Sequence, residues 1–156
     1  MAGGCAKAVA KAKSWTGLKE GAPVDKAIIS PWNKKMHMHA KSKSTPWCEI
    51  FVSSCFIQTS CIKGAYYKGA GCTQALNFYK KHKRFKKRGV KPSVGWQVMY
   101  NFKDKSTSKS THTGLVISVS GKYMTVQEGN KNNSCARRRI AWSSSSIVGF
   151  GLPKYK

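Results

Sequence analysis

The periodicity of the chain changes at Pro92. Before it, apolar residues recur at helical spacing; after it, they come in short β-type runs separated by Ser, Gly, Asn and Lys. A chain that lays down helices first and strands afterwards packs them as distinct layers, so the expected fold class is α+β, with N-terminal helices on a C-terminal antiparallel sheet. The 156 residues suit a single domain, 1–156, around one core.

The helical half has one strongly signed element. Thr45 reads as an N-cap and Pro46 as the first helical position. Cys48, Phe51, Val52, Cys55 and Phe56 then fall at i, i+3, i+4, i+7 and i+8, the stripe of a helix packed on a core. Ala6 to Trp15 reads as a helix stopped at Gly17, and Asp25 to Ile29 as a short one that Pro31 ends or shifts. His37 to Thr45 reads as loop, and Thr73 to about His82 as a further helix. The strand candidates are Val98–Phe102, Gly114–Val119, Tyr123–Gln127, Arg138–Trp142 and Ile147–Phe150.

Charge narrows the partners. With 29 Lys and Arg against 5 Asp and Glu, the net charge is +24. Such a surface binds polyanions with steep salt dependence, whether nucleic acid, anionic membrane or wall polymers such as teichoic acids. The densest run is Lys80, Lys81, Lys83, Arg84, Lys86, Lys87 and Arg88, with Arg137, Arg138 and Arg139 as a second patch. The competing reading of the first run is a solvated, flexible segment. The basic residues do not form one long amphipathic helix, which counts against membrane disruption. No apolar run approaches the roughly eighteen residues that span a bilayer. The N-terminus breaks its alanines with lysines and does not read as a secretory signal, so the expectation is cytoplasmic synthesis and later release.

Six cysteines (5, 48, 55, 61, 72 and 135) show no Cys-x-x-Cys pair or zinc spacing. Bridges among Cys55, Cys61 and Cys72 stay open; otherwise every cysteine except Cys48 reads as a small buried hydrophobe. Cys48 differs because it falls in the first turn of its helix. Unpaired backbone N–H groups and the helix dipole there favour a thiolate. A thiolate nucleophile needs a base, and the base an orienting partner. His112 opens the best strand, and the next strand ends in Glu128-Gly129-Asn130. If Val119 pairs with Tyr123 across a three-residue turn, His112 faces Asn130 with Glu128 diagonal on the same face. A two-residue turn pairing Val119 with Lys122 puts both on the wrong face. In the first register, Glu128 or Asn130 holds the imidazole through Nδ1 and leaves Nε2 toward Cys48.

The segments Pro46-Trp47-Cys48-Glu49-Ile50-Phe51-Val52-Ser53, His112-Thr113-Gly114-Leu115-Val116 and Glu128-Gly129-Asn130 resemble, in order and separation, the motifs of the CHAP family of peptidoglycan amidases and endopeptidases. Ile147 to Pro153 resembles the closing strand of its phage endolysin-like and bacterial members. The resemblance implies a papain-like fold and acyl transfer to a cysteine followed by hydrolysis. It assigns Cys48 as nucleophile, His112 as general base and acid, Glu128 as the group orienting the histidine, and Asn130 as support. Trp47 becomes a candidate for the substrate groove, with a core position as the competing reading. The chain departs from the family pattern at Gly95-Trp96-Gln97, where a Gly-Asp pair is usual. Ala40 to Trp47 lacks the acidic calcium loop of some relatives, so neither metal nor cofactor is expected. The expected partner is bacterial peptidoglycan, cut by a monomer held by its charge on anionic wall polymers, with non-specific nucleic-acid binding a further expectation. The alternative is an inactive papain-like module that binds polyanions.

Overall fold

The computed structural model describes residues 3–156. Helix α1 spans Gly3–Ser14 and buries Cys5, Ala8, Val9 and Ala12, a helical stripe. The chain leaves it through Gly17, whose φ of 89° suits glycine and whose N–H donates to the Cys135 carbonyl at 2.8 Å. Ala22 to Met36 is helical throughout but irregular: α2 (Ala22–Val24), a π-helical stretch (Asp25–Ile29), then α3 (Ser30–Met36). Pro31, in the first turn of α3, has no N–H to return to the preceding turn. The turn widens, Ser30 N–H reaching back to Asp25 O. The proline therefore shifts the helix rather than ending it.

Helix α4 (Cys48–Thr59) is the centre of the molecule, and every residue from Cys48 to Phe56 is buried. The apolar stripe understated it. The α1 and α2–α3 segments cover one side, and β3 (His112–Ser120) and β4 (Tyr123–Lys131) lie against the other. The two serines this buries are satisfied: Ser54 Oγ donates to Ile28 O at 2.7 Å, and Ser53 Oγ to Gly69 O at 2.8 Å. Thr45 is not the cap. Its N–H closes the preceding turn onto Lys41 O, Trp47 takes the cap position, and Cys48 becomes the first helical residue. Helix α5 spans Cys72–Lys81.

The sheet has six antiparallel strands, adding β1 (Phe85–Lys87), β2 (Gln97–Tyr100), β5 (Ser134–Ala141) and β6 (Ile147–Gly151), in the order β1-β6-β2-β3-β4-β5. The α+β expectation is met. Strand β1 lies within the basic run, where a solvated segment was the competing reading. As an edge strand it needs a ladder on one side only, and its lysines stay in water. Leu115 and Ile117 of β3 join the core beneath the helices. Val116 joins a second cluster on the opposite face with Val98, Tyr100, Met124, Val126, Ile147 and Phe150.

The β3–β4 hairpin follows neither expected register. Ser120 pairs with Tyr123 around Gly121-Lys122, one residue out of the alignment that joins the site. A bulge at Ile117 then restores it: Val116 pairs with Val126 and Leu115 with Gln127. Continued, that register sets Gly114 opposite Glu128 and His112 opposite Asn130. The bulge brings histidine and glutamate onto one face.

Candidate active site

Helix α4 delivers Cys48, β3 delivers His112 and β4 delivers Glu128. The Glu128 carboxylate is 0% exposed. It accepts from His112 Nε2 at 2.9 Å, from Arg138 Nε at 2.9 and 3.1 Å, and from Tyr100 Oη at 2.9 Å. Gly114 makes this possible, because a Cβ there would come within 2.7 Å of Glu128 Cγ and 2.9 Å of Gln127 O. Since Nε2 is committed to Glu128, Nδ1 is the ring nitrogen left for Cys48. This reverses the expected tautomer and orientation. The ring stacks on Tyr100, with centroids 5.8 Å apart.

The electrostatics separate charge within the pair. Cys72 Sγ, 3.3 Å from Cys48 Sγ, is the strongest influence holding the Cys48 thiol down. Burial opposes it, and His112 and the Glu49 backbone N–H add to it; the outcome is a pKa lowered to about 5. Burial pushes His112 the other way, but hydrogen bonds and charge from Cys48 and Glu128 outweigh it and raise the imidazole to about 9. Burial likewise opposes charge on Glu128, yet His112 and Arg138 hold it below the usual carboxylate value. Between those limits the resting pair is thiolate and imidazolium. The N–H groups of the first α4 turn, unpaired by helix geometry, add donors where a carbonyl oxygen would gain charge.

Not every candidate joins this centre. Asn130 sits at a φ of 58° and makes no side-chain hydrogen bond among the described residues. It lines an open cleft of about 350 Å³ with Phe102, Thr111, His112, Lys131, Asn132 and Arg138. Trp47 does not line a groove. It is 0% exposed, its indole N–H donates to Glu20 at 3.0 Å, and its ring packs by Gly129. Arg138 is no free polyanion contact, being committed to Glu128 and lying over the Phe102 ring at 4.8 Å. Arg84 is also spent, donating to Leu152 O and Pro153 O. Arg88 donates to Ser145 O and Ile147 O from an exposed position. Lys80, Lys81, Lys83, Lys86 and Lys87 are exposed, as are Arg137 and Arg139, which alternate with Arg138 along β5. Among the described residues no group of three or more His, Cys, Asp or Glu could hold a metal.

Cys72 is the residue that sequence reasoning missed. It is half-buried at the start of α5, and nothing in the spacing of 48 and 72 signals that two helix starts meet. Gln97, at the departure from the family pattern, is buried. It donates to Glu49 at 2.7 Å and to Thr113 at 2.9 Å, and accepts from Tyr79 Oη at 2.7 Å. Burial drives Glu49 well above the ordinary carboxylate range. A second cavity, of about 240 Å³, lies between Tyr66, Phe78 and Leu152 and contains none of Cys48, His112 and Glu128.

A thiol on a buried helix start, beside a strand histidine held by a carboxylate, defines a papain-like site on an α+β fold. The model of the CHAP domain family matches residues 40–130, more than half of the chain and the whole of the Cys48–His112–Glu128 set. The chain belongs to the CHAP family. Among solved structures it resembles that of Ly7917, with a TM-score of 0.58 at 12% identity over 96% of this chain. It also resembles Ly7917 solved with the hydrolyzing product of MDP, with a TM-score of 0.50 at 13% identity. In both cases the chain spans 62% of the length of the Ly7917 chain. No curated protein matches its sequence.

Proposed function

We propose that the chain is a cysteine-dependent peptidoglycan hydrolase, an amidase or endopeptidase, with residues 1–156 acting as one catalytic domain on the bacterial cell wall. One observation carries the reading: a Cys48 thiol lowered to about 5 beside an imidazole whose Nε2 is fixed at 2.9 Å on the buried Glu128. Membership of the CHAP family, and the likeness to a structure solved with a product of MDP, support peptidoglycan as the substrate.

The Cys48 thiolate attacks the amide carbonyl, and the first-turn N–H groups receive the developing oxyanion. His112, charged at rest, gives its Nδ1 proton to the departing amine. The now neutral ring takes a proton from water, which attacks the thioester and releases the acid. Glu128 holds the ring and stabilises its charged form; Arg138 and Tyr100 hold Glu128. Asn130, on the cleft wall, contacts the incoming peptide.

The exposed lysines of the 80–88 run, with Arg137 and Arg139, hold the enzyme on anionic wall polymer. Non-specific nucleic-acid binding follows from the same charge. The competing reading, an inactive polyanion-binding module, rests on the +24 charge and on Gln97. Gln97 has a complete structural role in the core, which weakens that reading.

The test is turbidity loss of purified peptidoglycan under reducing conditions, with wild type and Cys48→Ala side by side at low and high salt. Clearing by wild type alone is expected, and it weakens as salt rises. Tight binding to the wall without clearing by either protein would leave only the binding module.

A further inference from the structure

Cys72 is the one cysteine besides Cys48 that touches the site. The other four are buried, and burial raises each of their thiols, Cys135 to about 12. Cys72 is half-buried, with its sulfur 3.3 Å from that of Cys48. Two sulfurs at that distance, on the first residues of α4 and α5, need close by little more than 1 Å to reach a disulfide bond of about 2.05 Å. The contact joins chain segments 24 residues apart, each at a helix start that ends in a loop. The proton of the pair rests on Cys72, whose thiol its neighbour's hydrogen bond, burial and charge drive upward, while Cys48 carries the negative charge.

We propose that Cys48 and Cys72 form an oxidation site that takes hydrogen peroxide, with Cys48 as the attacking thiol and Cys72 as the resolving thiol. Its bearing on hydrolysis rests on the function proposed above; the thiol chemistry does not. The Cys48 thiolate attacks one peroxide oxygen, an S–O bond forms and the O–O bond breaks. The leaving hydroxide takes the His112 proton and departs as water. Cys48 is now a sulfenic acid without negative charge, so the largest of the influences that held the proton on Cys72 is gone, while burial remains. Cys72 sulfur attacks Cys48 sulfur; S–S forms, S–O breaks, and hydroxide leaves with the Cys72 proton as a second water. Two thiols lose two electrons in all, and one peroxide becomes two waters. The product has no nucleophile, and thiol reductant restores it. Without Cys72 the sulfenic acid would persist and climb to sulfinic acid, which reductant does not reverse.

The experiment treats wild type and Cys72→Ala with hydrogen peroxide, then reads intact mass, cysteine peptide maps and wall clearing before and after dithiothreitol. Wild type is expected to lose two hydrogens, to yield one Cys48–Cys72 linked peptide, and to lose and then regain its clearing. Cys72→Ala is expected to gain one and then two oxygens at Cys48, and to stay oxidised after reductant. Cys72→Ser, which keeps a donor to the thiolate, is the second variant and should behave the same way. A wild-type Cys48 that accumulates sulfinic acid with no linked peptide would overturn the proposal. So would a linkage to another cysteine, or full recovery of Cys48 in both variants. Mass and mapping are read without substrate. An oxidised pair in a protein that clears no wall would uphold the thiol chemistry and count against the hydrolase reading instead.

Discussion

The site and the α5–β1 edge use charge in opposite ways. In the site, one buried carboxylate serves two cations: among the described residues both ion pairs, to His112 and to Arg138, end on Glu128. At the α5–β1 edge, Lys81, Lys83, Lys86 and Lys87 stand in water. The other four acids explain the contrast. Glu20 accepts from the Trp47 indole, Asp25 from the Ser42 N–H, Glu49 from Gln97, and Asp104 from Asn101 and Ser106. All five carboxylates of the chain are engaged by the fold. Each has a partner in the fold, and among the described residues none forms an ion pair with a lysine. An ionised group buried by design is strong because its partners are fixed. A solvated lysine contributes almost nothing to stability but adds to the field that draws in a polyanion.

Substitutions in the two regions should therefore separate cleanly. Cys48→Ala is expected to lower wall clearing to background, on the order of 10⁴-fold or more, with wall binding intact. Loss of binding together with clearing would join the regions again. Glu128→Gln should cost on the order of 10⁴-fold in activity by releasing the imidazole. Because it leaves the Arg138 guanidinium without its carboxylate, it should also cost about 3–5 kcal/mol of stability, read by denaturant unfolding. Gly114→Ala is a smaller wedge against the same carboxylate, with about 1–3 kcal/mol of overpacking and a measurable fall in kcat. An unchanged kcat would mean Glu128 does not depend on that glycine. At the other edge, replacing Lys81, Lys83, Lys86 and Lys87 by Gln should leave unfolding and the hydrolysis of a short soluble peptide unchanged. Binding to anionic wall polymer should lose about one unit of salt slope per phosphate contact removed.

The same contrast governs how far the sequence was legible. Helices before strands, the helix bearing Cys48, and the order of Cys48, His112 and Glu128 are local patterns, and the chain displays them. The Ile117 bulge that aligns His112 with Glu128 is a property of pairing between strands, and no residue type announces it. Trp47 could be read as groove or core, since burial depends on what packs around it, here Glu20 and Gly129. Arg137-Arg138-Arg139 read as one patch until the strand's alternation set Arg138 on Glu128 and its neighbours in solvent. Cys72 was illegible for the same reason. Its meeting with Cys48 depends on how the starts of α4 and α5 are set against each other, and on nothing in either segment alone.

The central claim is that the site holds a thiolate and an imidazolium together. The rate of Cys48 alkylation by iodoacetamide, followed residue by residue by mass spectrometry from pH 4 to 10, tests it most directly. Wild-type Cys48 should become reactive with a midpoint near 5, far ahead of the other five cysteines, and change again near 9 as His112 loses its proton. Activity should rise and fall across the same two limits, because the pair needs Cys48 deprotonated and His112 protonated. A Cys48 that titrates near its ordinary value of 9.0 would contradict the account.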